Sequence, residues 1–200
     1  APLARASHCV ALWLLALLGG WECAWQIGGA VGEGRIWPDI ARPLVPALLL
    51  AWIGTRTGQS RWPFGPHLRL YLTTAALPVA AALWLWVLYI NVSSSGNPRP
   101  LAYVPLLNPL DLAVALIGIV SLHWWRAAQG AGGGPALERI AQAAPAIAGA
   151  TGFLWLNGIL LRTLHHWAAV PFRWDAMWRS TLVQTAFSVF WTMLALVVMV

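Results

Sequence analysis

Leu68–Val92 reads LRLYLTTAALPVAAALWLWVLYINV, 25 residues with a single charge at Arg69. Coiled as an α-helix, this stretch rises roughly 37 Å, more than the roughly 30 Å hydrocarbon core of a bilayer. An apolar helix of about 20 residues is enough to cross that core, so this stretch reads as a span. Pro78, near its middle, predicts a kink. Outward from this segment, four others read the same way: Ser7–Ile27, Leu106–Trp125, Ile140–Trp167 and Ala176–Val200. Ile40–Gly54 is shorter. Its 15 residues rise only about 22 Å, and Pro43 and Pro46 stand in its first turns. It either spans, with Trp37 and Trp52 at the interfaces, or re-enters. The expectation is an all-α polytopic transmembrane bundle of about six spans, a single transmembrane helical region over residues 1–200.

Composition agrees. Of 200 residues, 60% are hydrophobic and 9% charged, against about 25% charged in soluble domains. A soluble fold has too little polar surface at that ratio, and disorder, collagen, coiled coils and disulfide scaffolds are excluded as well. All twelve basic residues are Arg, and six acids leave a net charge of +6. The arginines stand singly between apolar runs, without a basic stripe, so the charge fits lipid headgroups and not nucleic acid. The implied partner is the bilayer itself. Cys9 and Cys23 lie in one span about 21 Å apart along its axis, too far for a disulfide. The chain begins Ala-Pro-Leu-Ala-Arg and stops within Leu196–Val200, which leads us to expect a fragment whose other partners are the remaining spans of a longer protein. The first apolar run continues to Trp25 and lacks a cleavage site, so it does not read as a signal peptide. Turn-rich loops are expected over 55–67, 93–105 and 129–135.

With six spans, the loops after the first, third and fifth share a face. Arginines divide equally, six to each side, when Arg162 is counted. Because Arg162 lies inside a helix, the balance tilts, and the face carrying Arg5, Arg56, Arg61, Arg69, Arg126 and Arg139 reads as cytoplasmic. The extracytoplasmic face then collects the candidates for chemistry. Arg162, His165 and His166 stand three and four residues apart on one helix, where a guanidinium holds an anion and an imidazole moves a proton. The competing reading is compensation of the helix C-terminal dipole. Asn108-Pro109-Leu110-Asp111 has the pattern of a helix start, with Asn as cap, Pro in the first turn and Asp against the positive end. Asp111 gains a functional reading only if it meets Arg162 or a histidine. Glu22 is an intramembrane carboxylate near a span end. Trp25, Tyr103 and Trp167, with Arg162 and Asn108, are candidate substrate-binding residues, since aromatic faces stack on sugars. Most of the 15 Trp fit an interfacial belt. Adjacent histidines point about 100° apart on a helix and no third ligand is evident, so no metal site is expected. Asn91-Val92-Ser93 matches a glycosylation acceptor pattern. Thr181, Gln184, Thr185, Ser188 and Thr192 form a polar stripe, either interhelical contacts or a pore lining. Nucleotide-binding and hydrolase motifs are missing, and no cofactor is expected.

Tyr103–Leu112 (YVPLLNPLDL) resembles a signature of a bacterial family of predicted multi-spanning membrane proteins of unknown function. Phe153–Asn157 (FLWLN), Arg162–Trp167 (RTLHHW), Val170-Pro171, Ser180–Thr185 (STLVQT) and Trp191 are similar to the same family, in order, over about the last hundred residues. The first hundred match only in their Trp-rich hydrophobic character. The resemblance implies a longer bacterial inner-membrane protein with many more spans and brings no activity, cofactor or substrate.

Two functional classes follow. One binds or processes a lipid-linked or saccharide envelope substrate at the extracytoplasmic face, with Arg162 on the anion, His165 or His166 on the proton and Asp111 or Glu22 as carboxylate. The other is a transporter or channel module with its path along the last helix. A membrane scaffold without chemistry is the third reading.

Overall fold

The computed structural model describes residues 2–32, 34–56 and 64–199. The loop read at 55–67 lies largely outside them, as does Glu33. The described residues fold into nine α-helices and one π-helical turn, without strands. In chain order these are α1 (Pro2–Val31), α2 (Trp37–Ala41), α3 (Leu44–Gly54), α4 (Phe64–Leu70), the π-turn (Tyr71–Ala75), α5 (Ala76–Ser93), α6 (Pro109–Gly130), α7 (Pro135–Ala168), α8 (Trp174–Arg179) and α9 (Thr181–Met199). Five helical segments are long and apolar enough to cross a membrane: Leu3–Val31, His67–Ser93, Pro109–Gly130, Pro135–Ala168 and Thr181–Met199.

Residues 37–54 form a different object. Proline cannot donate to a helix ladder, and Pro43 stands at the break between α2 and α3. The 11 residues of α3 rise about 16 Å, roughly half the hydrocarbon core. This short helix is the centre of the bundle: Ala47, Leu50, Ile53 and Gly54 are buried, and α1, α5 and α6 pack around it. Two close approaches set it there. A Cβ on Gly20 would lie 2.4 Å from the Arg42 carbonyl oxygen, and one on Gly54 2.8 Å from the His123 ring.

The kink expected at Pro78 takes a particular form. In a regular α-helix the proline ring collides with the carbonyl four residues back, here Thr74. The π-turn at Tyr71–Ala75 widens the backbone at that point. Two carbonyls of the turn are claimed by neighbouring helices: Trp124 Nε1 donates to Leu72 at 2.9 Å and Trp13 Nε1 to Ala75 at 2.8 Å. In lipid no water is present to satisfy such groups, so a neighbouring donor is what makes the distortion tolerable.

Tryptophan is thus more than a belt residue. Trp37 Nε1 donates to the Arg99 carbonyl, Trp84 to Thr151 Oγ1, Trp155 to Asp111 Oδ1 and Trp191 to Asn157 Oδ1. Trp21, Trp25, Trp167, Trp174 and Trp178 remain on the exterior.

α7 lies on α5, and α9 on α7. The apolar run from residue 176 onward is divided: α8 ends at Arg179, Ser180 is extended, and its hydroxyl accepts from the Val183 N–H as a cap for α9. The outer surface is apolar along whole helices, including Leu14, Leu17 and Leu18 on α1 and Leu196 to Met199 on α9. A surface of that extent is a lipid-facing one.

Candidate functional site

The ends of α5 and α7 meet the start of α6 around one buried ion pair. Asn108 starts α6. Its Oδ1 accepts from the Leu110 N–H at 3.0 Å, and its Nδ2 donates to the Gly96 carbonyl at 2.9 Å. Asp111 therefore sits in the first turn, against the positive helix end. Arg162 Nη2 donates to Asp111 Oδ1 at 2.6 Å and to Asn91 Oδ1 at 3.3 Å. The same carboxylate oxygen accepts from Trp155 Nε1 at 3.1 Å. Arg162, Asp111 and Asn108 are 0% exposed and Asn91 is 2%.

Two glycines make room for the guanidinium. A Cβ on Gly158, one turn before Arg162, would lie 2.8 Å from Asn91 Oδ1 and 3.0 Å from Arg162 Nη1. Gly96, at φ +63°, would bring a Cβ within 2.9 Å of Arg162 Cδ. Arg162 Nε and Nη1 and Asp111 Oδ2 have no hydrogen-bond partner among the described residues. The pair is enclosed by protein and presents no open charge to a ligand.

Around it stands a ring of aromatic groups. Tyr103 stacks on His166, with centroids 4.3 Å apart and planes at 17°. Its hydroxyl lies 3.4 Å from Thr163 Oγ1 and 3.5 Å from the Ile159 carbonyl, and burial pushes its pKa up. His166 Nε2 lies 2.8 Å from the Ser95 carbonyl, and His165 Nδ1 2.7 Å from that of Val170. A carbonyl only accepts, so each of these nitrogens carries the proton. His165 thereby caps the end of α7, where Ala169 turns left-handed at φ 55°.

Residues 93–97 form a wall with two faces. One side meets Arg162, Asn108 and His166, as described. The other lines a cleft of about 980 Å³ between the end of α1, α2 and the end of α5. Arg35, Asp39, Arg42, Gln26 and Asn97 give it polarity, and Trp25 and Tyr89 flank it. Asn97 closes the wall onto the loop between α1 and α2: its Nδ2 donates to the Gly34 carbonyl at 3.0 Å, and its carbonyl accepts from the Ile36 N–H at 3.1 Å. Arg42 Nη1 and Asp39 Oδ1 are 4.0 Å apart.

Residues 1–200 match the family described as "Predicted membrane protein (DUF2339)" along their whole length. The chain belongs to this family. No curated protein and no solved structure matches it.

In this DUF2339 chain the residues singled out from sequence fall into three places. Arg162, Asp111 and Asn108 converge, with Tyr103 and His166 beside them. Trp25, 66% exposed, lies across the wall in the cleft. Glu22 sits on the exposed side of α1, where Gln26 Nε2 donates to it at 2.7 Å, apart from the Arg162 cluster. Trp167 is 68% exposed and faces outward. Among the described residues no group of three or more His, Cys, Asp and Glu could hold a metal. Sequence reasoning did not find Asn91, Gly96, Trp155 or Gly158 as parts of the site, nor Arg35, Asp39, Arg42 and Tyr89 as cleft residues. Asn91 carried an acceptor pattern that drew attention to the wrong property, and its burial leaves it a structural hydrogen-bonder. The cleft residues are contributed by three segments from Trp25 to Asn97, and nothing in their individual patterns signals a shared cavity.

Proposed function

We propose that this membrane protein, in the bacterial inner membrane, binds the polar head of a lipid-linked or saccharide envelope substrate in the cleft at its extracytoplasmic face. The observation that carries this reading is the cleft itself, about 980 Å³ with two arginines, a carboxylate, two amides and serines between two aromatic side chains. Ligand sites are concave, of roughly 300–1,000 Å³, with a few convergent polar groups. Guanidinium forks suit phosphate or carboxylate, and Trp25 and Tyr89 offer flat faces to a sugar. Arg162 and Asp111 support the reading from behind the wall. Arg162 packs behind Gly96 and is neutralised by Asp111, while Asn108 donates to the Gly96 carbonyl and holds the wall, a positioning role and not direct contact with a ligand. His166, bonded to Ser95, joins the same support. The transport reading finds less. Ser188 Oγ and Thr192 Oγ1 donate back to carbonyls of their own helix, and Gln184 Nε2 donates to the Trp178 carbonyl. Thr181, Gln184, Thr185, Ser188 and Thr192 are exposed on the outer helix, where they line no passage among the described helices.

The test is retention of phosphatidylglycerol and of a neutral glycosyl diacylglycerol by the purified chain in mild detergent, read by native mass spectrometry. Arg35→Ala should weaken the phosphate-bearing lipid by about tenfold, the value of one charge-assisted hydrogen bond. Trp25→Ala should weaken the glycosyl lipid. If the natural chain keeps neither above an unrelated membrane protein, the reading is wrong.

A further inference from the structure

The cleft does not end at the polar groups. Below it, between α1, α3 and α5, lies an apolar groove of about 370 Å³, bounded by Trp13, Leu17, Pro46, Val79, Leu83 and Trp86. Arg42 borders both the groove and the cleft. The two run in register along the same helices. On α1 the groove takes residues 13–20 and the cleft residues 25 onward; on α5 the groove takes 78–86 and the cleft 89–93. From Pro78 to Ser95 the combined feature extends about 25 Å along the helix direction. One leaflet with its headgroups is about 20–22 Å deep, half the thickness of a bilayer. A single lipid standing upright in that leaflet therefore matches the feature in length and in the order of its polarity.

The groove also holds an unmet demand. Trp86 Nε1 is buried without a hydrogen-bond partner among the described residues, whereas the indoles of Trp13, Trp37, Trp84, Trp124, Trp155 and Trp191 reach carbonyls, a carboxylate, an amide or a hydroxyl. A buried donor without a partner beside the groove is satisfied when an occupant brings an acceptor to that depth and the indole turns to meet it. An ester carbonyl at the head of an acyl chain supplies one; a polyprenyl chain does not. Arg35 and Arg42 line the cleft where the phosphate of such a molecule falls, with the Arg42 side chain half exposed and 4.0 Å from Asp39. We propose that cleft and groove form one site for a phosphate-bearing glycerolipid with an ester-linked chain, the head in the cleft, the chain in the groove and its carbonyl accepting from Trp86 Nε1. The proposal rests on reading the cleft as a headgroup site and names the class of molecule that fills it.

The experiment compares retention of diacyl phosphatidylglycerol, its dialkyl ether analogue and a polyprenyl phosphate by the full chain in mild detergent. The natural chain should prefer the diacyl lipid over the ether lipid by about fivefold or more, the value of one hydrogen bond. Trp86→Phe keeps the ring and removes the N–H, and should bring that ratio to about one. Ala82→Phe, at an exposed position bordering the groove, should lower retention of both glycerolipids by about tenfold while leaving binding of glycerol phosphate alone unchanged. Leu17→Trp fills the groove from the α1 side and should act in the same way if Ala82→Phe lowers the thermal midpoint. Equal retention of diacyl and ether lipids by the natural chain, or a preference for polyprenyl phosphate, overturns the acyl class. Retention that survives both groove variants but is lost in Arg35→Ala overturns the groove and leaves the headgroup reading standing. Retention lost in the groove variants and unaffected by Arg35→Ala does the reverse.

Discussion

Arg162 carries a full charge with no exposure to solvent, so its surroundings decide what it can do. Asp111 neutralises it, Asn91 adds a second acceptor, and the two glycines at 96 and 158 leave it space. Removing one partner of such a buried pair strands the other, at a cost of roughly 3–5 kcal/mol, whereas replacing both by apolar groups is often near neutral. Arg162→Ala and Asp111→Asn should each lower the thermal midpoint in detergent sharply, and Arg162→Met with Asp111→Leu should recover most of the loss. Additive losses in the double variant would show that the two side chains act separately. The pairing was legible as a condition, since Asp111 gains a role only by meeting Arg162. What sequence spacing could not reveal is Asn91, 71 residues from Arg162, because nothing local to an Asn-Val-Ser triplet announces a buried acceptor.

Indole N–H groups tie the elements of this fold together alongside its glycine contacts. The lengths of the apolar runs placed the long helices, and Pro78 announced a distortion, yet the π-turn and its two indole donors belong to tertiary structure. Trp124→Phe keeps the ring and leaves the Leu72 carbonyl without its donor at a position where the helix ladder is already disturbed. Hydrogen bonds of this kind in membrane proteins average about 0.6 kcal/mol and reach about 1.7. The upper end is expected here, as a lowered unfolding midpoint, with Trp84→Phe, an exposed indole that loses a bond to Thr151, near the lower end. Equal effects would mean that the π-turn does not depend on the donor. The glycines of α1 follow a related logic. Gly20→Ala drives a Cβ into the Arg42 backbone, which cannot swing aside as a side chain can, so α2 and α3 should shift together and the cleft with them. That variant should lose lipid retention along with stability, whereas Gly149→Ala, with open space around it, should change neither.

At the scale of the whole molecule, the helix directions put the wall at 93–97, the start of α6 and the end of α7 on one membrane face, and the turn at 131–134 between α6 and α7 on the other. The arginine count alone is a tie, broken by the location of Arg162 within a helix, and its complete burial strengthens the reason for leaving it out of the loop tally. Positive charge in loops orients a bundle toward the cytoplasm, and the proposed function expects the cleft on the opposite side. Thiol labelling tests this directly. Cys9 and Cys23 are free and are first replaced by Ala. Single cysteines are then placed at Arg99, exposed in the loop after α5, and at Gln129, exposed near the end of α6. A membrane-impermeant maleimide added to intact cells with permeable outer membranes should label Arg99→Cys and spare Gln129→Cys until the inner membrane is opened. The reverse pattern would turn the cleft to the cytoplasm, where an envelope saccharide is no longer its natural ligand while a lipid of the inner leaflet still is. Labelling of both positions from outside would deny that an odd number of crossings separates them, and with it the arrangement of α6 as a complete span.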